Sequence, residues 1–325
     1  MPNYLNNVWL VGCGIMAVEY SKVLDALGIS YTAIGRGESS ARSFEEQTKH
    51  SVICGGLHAF LEQKPALPEA VIVASSMSVL QENTQKLLDY GVKQILVEKP
   101  AGCNREEIRA LYALSKKKSA QVYIAYNRRF YASVLAALPR IEEEGGATSF
   151  HFDFTEWSHV IEKMKGKEEK ELQNWIYGNS SHIIDMAFYM CGWPALLQTN
   201  TVGGLRWHNA GSIFSGAGVS EKGALFSYHA NWESAGRWSV EVHTKESTYI
   251  FRPLEKLQVQ KRGEIAITEV MIDDEMDHLF KPGIYREVAS FLNCNDTAKK
   301  GLKSLCEQAE NTAVYDAILY GENMH

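Results

Sequence analysis

Two glycines near the start of the chain have the spacing of a phosphate-binding loop. Gly12 and Gly14 follow a short apolar run and open a helical stretch, in a Gly-x-Gly-x-x-Ala pattern that ends at Ala17. In dinucleotide-binding units the first glycine permits a tight turn and the second lets the backbone approach the pyrophosphate. The N–H groups at the helix start, from Ile15 and Met16 onward, then face the phosphates. Structural turns also show this pattern, but the order strand, turn and helix favours a nucleotide site.

The loop after the second predicted strand indicates which nucleotide fits. An NAD site usually carries an acidic residue about 20 residues past the glycines, where it binds the ribose 2′-hydroxyl. This chain carries Arg36 there, followed by Glu38, Ser39 and Arg42. Because a guanidinium pairs with a 2′-phosphate whereas a carboxylate repels it, we predict NADP(H), bound by Arg36 and Ser39. NAD is the alternative, since Glu38 could face the ribose instead.

Two later strand ends carry polar residues that suit the same crevice. Ser75 follows the strand predicted over 70–74, and Lys99 follows the strand predicted over 94–97. Polar residues at the carboxyl ends of parallel strands line the cofactor crevice in open α/β sheets. Pro100 disfavours helix at Lys99, which suits a side chain held out at a strand end. Without further context, a lysine in this position is more often an exposed surface residue.

A histidine and an aspartate lie one helical turn apart in the second half of the chain. His182 and Asp185 have i,i+3 spacing, which places both on one face of a helix. Their neighbours in the sequence are apolar. Taken alone, this arrangement is more typical of a buried packing pair than of a reactive site.

The elements that must position these residues follow two different patterns. Strands and helices alternate over residues 8–125, which is typical of a doubly wound parallel sheet. The predicted strands are 8–11, 31–34, 52–54, 70–74, 94–97 and 121–125, and the clearest helices are 17–27, 79–90 and 105–118. We therefore predict an α/β fold that begins with a Rossmann dinucleotide-binding domain over residues 1–126.

Beyond residue 126 the strands come in close succession. Apolar and polar residues alternate at 150–155, 226–232, 238–242, 257–259 and 265–267, as in half-buried antiparallel strands. We predict an α+β domain over residues 127–325 with a large, mostly antiparallel open sheet, for substrate binding and oligomerisation. The helical stretches 285–292 and 305–320 are predicted to be packing elements that could buttress the first domain.

Composition excludes several classes of partner. The formal net charge of −6 over 325 residues gives no electrostatic case for nucleic acid or an anionic membrane. No apolar run approaches the length of a membrane span, and the N-terminus does not have the pattern of a signal peptide. The six cysteines are scattered, which favours reduced, mostly buried thiols in a cytoplasmic protein over disulfides or a metal site.

Three segments together resemble one enzyme family. The segments are Gly-Cys-Gly-Ile-Met-Ala (12–17), Val-Glu-Lys-Pro (97–100) and Tyr-Asn-Arg-Arg-Phe (126–130). In combination they are similar to the Gfo/Idh/MocA oxidoreductases, the family of glucose–fructose oxidoreductase and inositol dehydrogenase. The resemblance is close over the first half and loose over the second, and it implies an open antiparallel sheet in the second domain and a homo-oligomer.

The resemblance also implies roles for the reactive residues. The lysine of Val-Glu-Lys-Pro lies beside the nicotinamide in the family, so Lys99 is expected to be catalytic and, with Glu98, to contact the cofactor. A partly desolvated lysine can polarise a carbonyl or exchange a hydroxyl proton during hydride transfer. Ser-His-Ile-Ile-Asp resembles the segment around the family's catalytic histidine, so we expect His182 to be the general base for oxidation or the acid for reduction. Asp185 would orient it or bind substrate.

One position departs from the family pattern. Many relatives carry an aspartate four residues before the histidine, where this chain has Gly178. The departure leaves open whether the substrate is the polyol that is usual in the family. The candidate substrate contacts are Asn127, Arg128, Trp175, Tyr177, Asn179 and Asp185, with Glu156 as a further candidate.

The expected activity is hydride transfer between NADP(H), or alternatively NAD(H), and a secondary hydroxyl or ketone of a small molecule. A sugar, inositol or sugar derivative is the predicted substrate. Two alternatives stay open: a reductase of an imine, enamine or pigment, and a dinucleotide-responsive regulator without turnover. The presence of both Lys99 and His182 favours an enzyme, because a sensor would need neither.

Overall fold

The computed structural model describes residues 3–324, which divide into two compact units. One unit comprises the residues up to Asn127 together with Met276–Glu310. The other comprises Arg128–Glu275 together with the residues from Asn311 onward. The segment 276–310 therefore belongs to the first unit, whereas the sequence patterns led us to place it in the second domain. An amphipathic helix reveals that one of its faces is buried, but not which element buries it.

The first unit begins with regularly alternating strands and helices. Its elements are β1 (Asn7–Val11), α1 (Ile15–Ala26), β2 (Ser30–Ile34), α2 (Glu38–Thr48), β3 (Val52–Ile53), α3 (Gly56–Glu62), β4 (Ala70–Val73), α4 (Leu80–Tyr90), β5 (Gln94–Glu98), α5 (Arg105–Lys117) and β6 (Gln121–Ala125). These strands are parallel, in the order β6-β5-β4-β1-β2-β3. This is the predicted doubly wound sheet, and its strand order reverses beside β1, where such sheets bind ligands.

Local sequence explains the boundaries of these elements. Residues 8–11 of β1 are all buried, as expected for a central parallel strand covered on both faces. The helix α5 begins after Asn104, whose side chain accepts a hydrogen bond from the backbone N–H of Glu107 at 3.0 Å. The helix α4 ends at Gly91, which has a φ of 113° that glycine adopts without strain. Burial thus explains β1, the strand before the glycines, and capping explains the ends of the helices that flank β5, the strand before Lys99.

The second unit is built on an eight-stranded sheet. Its elements are α6 (Ala132–Glu143), β7 (Ser149–Asp153), α7 (Ser158–Ile161), α8 (Glu169–Gln173), α9 (Ser181–Cys191), β8 (Pro194–Val202), β9 (Ile213–Ser220), β10 (Leu225–Asn231), β11 (Ser239–His243), β12 (Ser247–Phe251), β13 (Gln258–Lys261) and β14 (Ile267–Glu269). The strand order is β14-β13-β12-β11-β7-β10-β9-β8, with β7 and β10 parallel and all other neighbours antiparallel. The prediction of a large, mostly antiparallel sheet is confirmed.

Aromatic side chains fill the space between this sheet and α9. Phe150 and Phe152 of β7 are buried and lie 5.8 and 5.4 Å from the ring of Phe188 on α9. Phe226 of β10 lies 5.2 Å from the same ring. Aromatic pairs at these distances add to the free energy gained by burial. The packing fixes α9, the helix that carries His182, against the centre of the sheet.

The last part of the chain adds α10 (Glu275–Leu279), α11 (Ile284–Leu292), β15 (Lys303–Ser304) and α12 (Leu305–Tyr320). Within the first unit, α11 packs against α1, and β15 pairs with β6 as an antiparallel edge strand. The side-chain amide of Asn127 donates a hydrogen bond to the carbonyl of Pro282 at 2.8 Å. These contacts explain why residues 276–310 group with the first unit.

The cysteines differ from expectation in their burial. All six are free thiols, as predicted, but only Cys103 and Cys191 are buried, while Cys54 and Cys294 are exposed. Sequence context gave no measure of burial for residues in loops. Among residues 3–324, no helix is both long enough and apolar enough to cross a bilayer.

Candidate functional site

The two glycines of the first loop differ in whether the fold itself requires glycine at their position. Gly12 has a φ of 120°, and a Cβ atom there would lie 2.3 Å from the carbonyl oxygen of Ala74, so the fold itself requires glycine. Gly14, which precedes the first residue of α1, has an ordinary φ of −87° and no atom within 4 Å of its would-be Cβ. The fold therefore leaves open space at Gly14, as the close approach of a pyrophosphate to the backbone requires.

A cavity of about 390 Å³ opens beside this loop, at the carboxyl ends of β1, β2 and β4. Four of the predicted cofactor residues line it: Gly12, Gly14, Arg36 and Ser75. Further lining residues that sequence reasoning missed include Ser40, Gly55, Gly56 and Asn83. The glycine loop, the open space at Gly14 and the parallel strand ends are the features that a bound dinucleotide needs, so the residues present fit such a cofactor.

The charges around this cavity favour an anion. Its lining includes two permanent cations, Arg36 and Lys86, against one carboxylate, Glu82. Lys86 pairs with Glu82 at 2.6 Å. This bond, with smaller contributions from Arg36 and His58, holds the pKa of Glu82 below its usual range. The cavity is thus suited to a ligand that carries phosphate groups.

Glu38, the residue that would favour NAD, lies on another face of α2. Glu38 and Arg42 are both exposed and pair with each other at 3.2 Å. Together with Ser39 they line a separate shallow depression. Ser39 was predicted to bind the cofactor, but it is its neighbour Ser40 that lines the cavity. The difference arises because successive residues of a helix point about 100° apart.

Four other predicted cofactor residues, Ile15, Met16, Glu98 and Lys99, do not line the cavity. Ile15 and Met16 form the start of α1, and the side chain of Ile15 is exposed. Glu98 points into the interior of the unit, where it accepts a hydrogen bond from the buried hydroxyl of Tyr20 at 2.7 Å. Burial raises the pKa of Glu98, against the opposing effect of the Lys99 ammonium. The structure therefore assigns Glu98 to packing between β5 and α1.

Lys99 lies directly after β5 and is half-buried. Its peptide bond to Pro100 is cis. The carbonyl of Pro100 accepts a hydrogen bond from the side chain of Gln308 at 3.2 Å, which fixes the backbone beside the lysine. Lys99 does not line the 390 Å³ cavity. Gln308 lies in the segment that returns to the first unit, and no sequence pattern predicted its contact with Pro100.

In the second unit, His182 follows an irregular helical turn. Residues Ile176–Ser180 form a π-helical turn that continues into α9. Such turns are rare and frequently occur at functional sites. His182 is 6% exposed, and its ring lies 6.3 Å from that of Trp238.

A buried carboxylate lies beside this turn. Glu156, which follows β7, is 2% exposed. Its oxygens accept hydrogen bonds from the side-chain amide of Asn179 at 2.9 and 3.0 Å and from the hydroxyl of Ser180 at 2.9 Å. Arg237 lies 3.5 Å from the same carboxylate. Burial raises the pKa of Glu156 to about 7, although Ser180, Arg237 and Asn179 all act in the opposite direction.

Two arginines stack on aromatic rings in the same region of the second unit. The guanidinium of Arg237 lies 4.8 Å from the ring centre of Trp157 and 4.5 Å from that of Trp238. The guanidinium of Arg128 lies 4.8 Å from Trp238 as well. Burial lowers the pKa of Arg128, with a further contribution from Arg237. Of the predicted substrate contacts, Arg128 and Asn179 thus lie with Glu156 and His182 in one cluster.

The remaining predicted substrate contacts all have partners within the protein. Both oxygens of Asp185 accept hydrogen bonds from Arg129, at 2.7 and 2.8 Å, in a buried ion pair. Tyr177 is buried and donates to Asp316 at 2.5 Å. Trp175 is buried and packs on Trp207, and its indole also acts on the Glu156 carboxylate, whose pKa it lowers. The amide of Asn127 binds Pro282. Their polar groups stabilise the fold, a role that the spacing of the residues along the chain could not distinguish from substrate binding.

Comparison with known proteins finds similarity over the first part of the chain. Residues 6–126 match the model of an oxidoreductase family with an NAD-binding Rossmann fold. The chain is also 33% identical over 129 residues to an uncharacterized oxidoreductase of Schizosaccharomyces pombe. That match covers 39% of this chain and 35% of the relative, so it extends over about a third of the relative's length.

Solved structures match the whole fold at low identity. A levoglucosan dehydrogenase in complex with NADH and levoglucosan is 20% identical, with a TM-score of 0.78 over 98% of this chain and 96% of its own. An oxidoreductase from Agrobacterium radiobacter, in complex with NAD+, L-tartaric acid and magnesium, is 14% identical, with a TM-score of 0.77 over the same shares. At these identities the similarity establishes the fold alone.

Proposed function

We propose that this chain, whose residues 6–126 match the model of the Gfo/Idh/MocA oxidoreductase family, is a nicotinamide-dependent dehydrogenase or reductase. The observation that carries the proposal is the cavity beside Gly12 and Gly14, which combines a glycine loop, a helix start and an excess of cations. These features suit the phosphates of a dinucleotide. The nicotinamide, when bound, supplies or accepts the hydride.

Each reactive residue is assigned a separate task. Lys99, held at the end of β5, polarises the reacting oxygen of the substrate by its positive charge. His182 transfers the proton that must leave a hydroxyl when it becomes a ketone, or return in the opposite direction. The substrate class that fits this chemistry is a small molecule with a secondary hydroxyl or ketone, such as a sugar derivative. The levoglucosan bound by one protein of the same fold supports this class.

We propose NADP(H) as the preferred cofactor. Arg36 lines the cavity directly after β2, where the adenosine ribose lies in Rossmann domains, and Ser40 lies beside it. Glu38, the residue that would favour NAD, pairs with Arg42 on an exposed face instead. Two of the similar structures contain NADH or NAD+, so the preference must come from residues particular to this chain.

Replacing Arg36 by Ala should weaken NADPH binding selectively. A hydrogen-bonded charge pair contributes about 1.5–3 kcal/mol, so we expect the Kd for NADPH to rise roughly 10- to 150-fold while that for NADH changes little. Isothermal titration calorimetry with both cofactors measures this. Arg42→Ala is the matched control, since it removes the same charge from a nearby residue, on α2, that lies outside the cavity. Equal effects of the two variants, or preference of the unaltered protein for NADH, would contradict the NADP(H) assignment.

A further inference from the structure

We propose that Glu156 is a positioning residue of the active site, whose ionised carboxylate fixes the turn leading into His182 and holds Arg237 beside it. Loss of the negative charge on Glu156 would release both. The inference rests on the proposed function for its meaning in catalysis, but the contacts that carry it belong entirely to the second unit. The mechanism described above makes no use of this buried carboxyl group.

The backbone around Glu156 is anchored on both sides. The hydroxyl of Thr155 accepts a hydrogen bond from the N–H of Asn231 at 3.0 Å. The indole of Trp157 donates to the carbonyl of Gly236 at 2.9 Å. These bonds tie the residues after β7 to the end of β10 and to the loop that follows it. These hydrogen bonds therefore fix the backbone from which the Glu156 side chain extends.

The partners of Glu156 lie in the turn that precedes His182 and next to Trp238, whose ring neighbours that of His182. Asn179 and Ser180 end the π-helical turn, and His182 follows Ser180 by two residues. The bonds from these two residues to Glu156 hold the π-helical turn that continues into α9. A change in this turn moves the imidazole, because the two are joined by less than one helical turn.

Arg237 connects Glu156 to an aromatic ring that neighbours the histidine. It bridges the carboxylate of Glu156 and the ring of Trp238, which in turn lies 6.3 Å from the ring of His182. The charged groups that face Glu156 are Arg237, from the loop before β11, and at longer range Arg128, from the turn before α6. Both favour the ionised carboxylate, whereas burial opposes it.

The chemistry of the partners explains why ionisation matters. The amide of Asn179, the hydroxyl of Ser180 and the guanidinium of Arg237 can all donate hydrogen bonds to the carboxylate. A protonated carboxyl carries a hydrogen that it must itself donate, and it binds these donors, the guanidinium of Arg237 above all, more weakly than the ionised form does. Since burial brings the pKa of Glu156 to about 7, the network is complete above neutral pH and loosens as the pH falls through 7.

Nuclear magnetic resonance of the ¹⁵N-labelled full-length chain tests the inference without any substrate. Between about pH 5 and 9, the side-chain amide of Asn179 and the backbone amides of Ser180 and His182 should show an inflection near pH 7. In Glu156→Gln, which keeps the shape but not the charge, this inflection should disappear. An inflection that arises from any other group would persist in that variant, so the two causes are separable.

The matched control is Glu144→Gln. Glu144 is a carboxylate of the same unit that also accepts hydrogen bonds from side-chain hydroxyls, those of Thr244 and Ser247, but away from the turn. The inflection should survive this change. Persistence of the inflection with the same midpoint in Glu156→Gln, or its absence from the unaltered protein, overturns the inference.

A second variant covers the case in which Glu156→Gln fails to fold. Ser180→Ala removes one donor that favours the ionised carboxylate, so the midpoint should rise by at least about half a pH unit. An unchanged midpoint overturns the inference. Failure of NADPH to bind would contradict the proposed function and leave this titration intact, so the two failures are distinguishable.

Discussion

At the scale of single residues, the two loop glycines separate the needs of the fold from those of the ligand. The left-handed φ of Gly12 and the nearby carbonyl of Ala74 exclude any side chain. At Gly14 the backbone is ordinary and the space is empty. The motif predicted these separate roles, a tight turn at Gly12 and the approach of the pyrophosphate at Gly14, but a pattern of residue types does not give the φ or the neighbouring atoms that enforce them.

Alanine substitutions at these glycines should therefore have different consequences. Gly12→Ala should lower the free energy of unfolding by about 2–4 kcal/mol through strain and steric clash. Gly14→Ala should change it by no more than about 1 kcal/mol, yet weaken NADPH binding at least roughly tenfold, because its methyl group fills the space that the phosphates need. Denaturant unfolding and calorimetry measure the two effects. Equal destabilisation by both substitutions would argue against this distinction.

At the scale of elements, strands with strong apolar alternation were predictable and those shaped by glycine were not. The strands β7, β10 and β11 follow the predicted alternation closely. In β9, a Cβ at Gly216 would lie 2.5 Å from the ring of Tyr228, and one at Gly218 would lie 2.7 Å from that of Phe226. These aromatic rings of β10 fill the positions of the missing side chains. Glycine has a low strand propensity, so β9 could not be predicted from its sequence. The contacts with β10 that require glycine there are tertiary and leave no local pattern.

The helix α9 offers a test at the same scale. Asp185 and Arg129 form a buried ion pair with bonds to both carboxylate oxygens. Removing one partner leaves a buried charge, so Asp185→Asn should lower the free energy of unfolding by about 3–5 kcal/mol. The double variant Asp185→Leu with Arg129→Met should recover most of that loss. Denaturant unfolding measures each value.

The control for this prediction is an exposed ion pair. Lys256 and Glu269 lie 2.7 Å apart at the surface of the second unit, and Glu269→Gln should change the free energy of unfolding by no more than about 1 kcal/mol. A small effect of Asp185→Asn would show that the buried pair does not anchor α9. Asp185 would then again be a candidate for contact with substrate or with His182.

At the scale of the whole molecule, the sequence predicted the two kinds of sheet but not the path of the chain between the units. The regular alternation of strands and helices up to residue 125 specified the first sheet, because parallel strands need helical crossovers. The return of residues 276–310 depends on contacts such as that of α11 with α1, which local patterns do not encode. For the same reason Gln308, whose bond to Pro100 supports the backbone at Lys99, was not predicted.

The central claim is that the chain is a nicotinamide-dependent oxidoreductase in which Lys99 acts on the reacting oxygen. The most direct measurement is turnover by the unaltered protein and by Lys99→Ala, followed by the absorbance of the reduced nicotinamide. The assay uses NADP+ or NADPH with levoglucosan and a panel of sugars, inositols and sugar acids. Lys93→Ala, at an exposed lysine before β5, is the control.

The account predicts turnover of at least one compound by the unaltered protein and by Lys93→Ala. It predicts a loss of more than about 100-fold in Lys99→Ala, with the Kd for NADPH unchanged within about twofold. Near-normal turnover in Lys99→Ala would contradict the role of the lysine. Binding of neither NADPH nor NADH by the unaltered protein would contradict the claim as a whole.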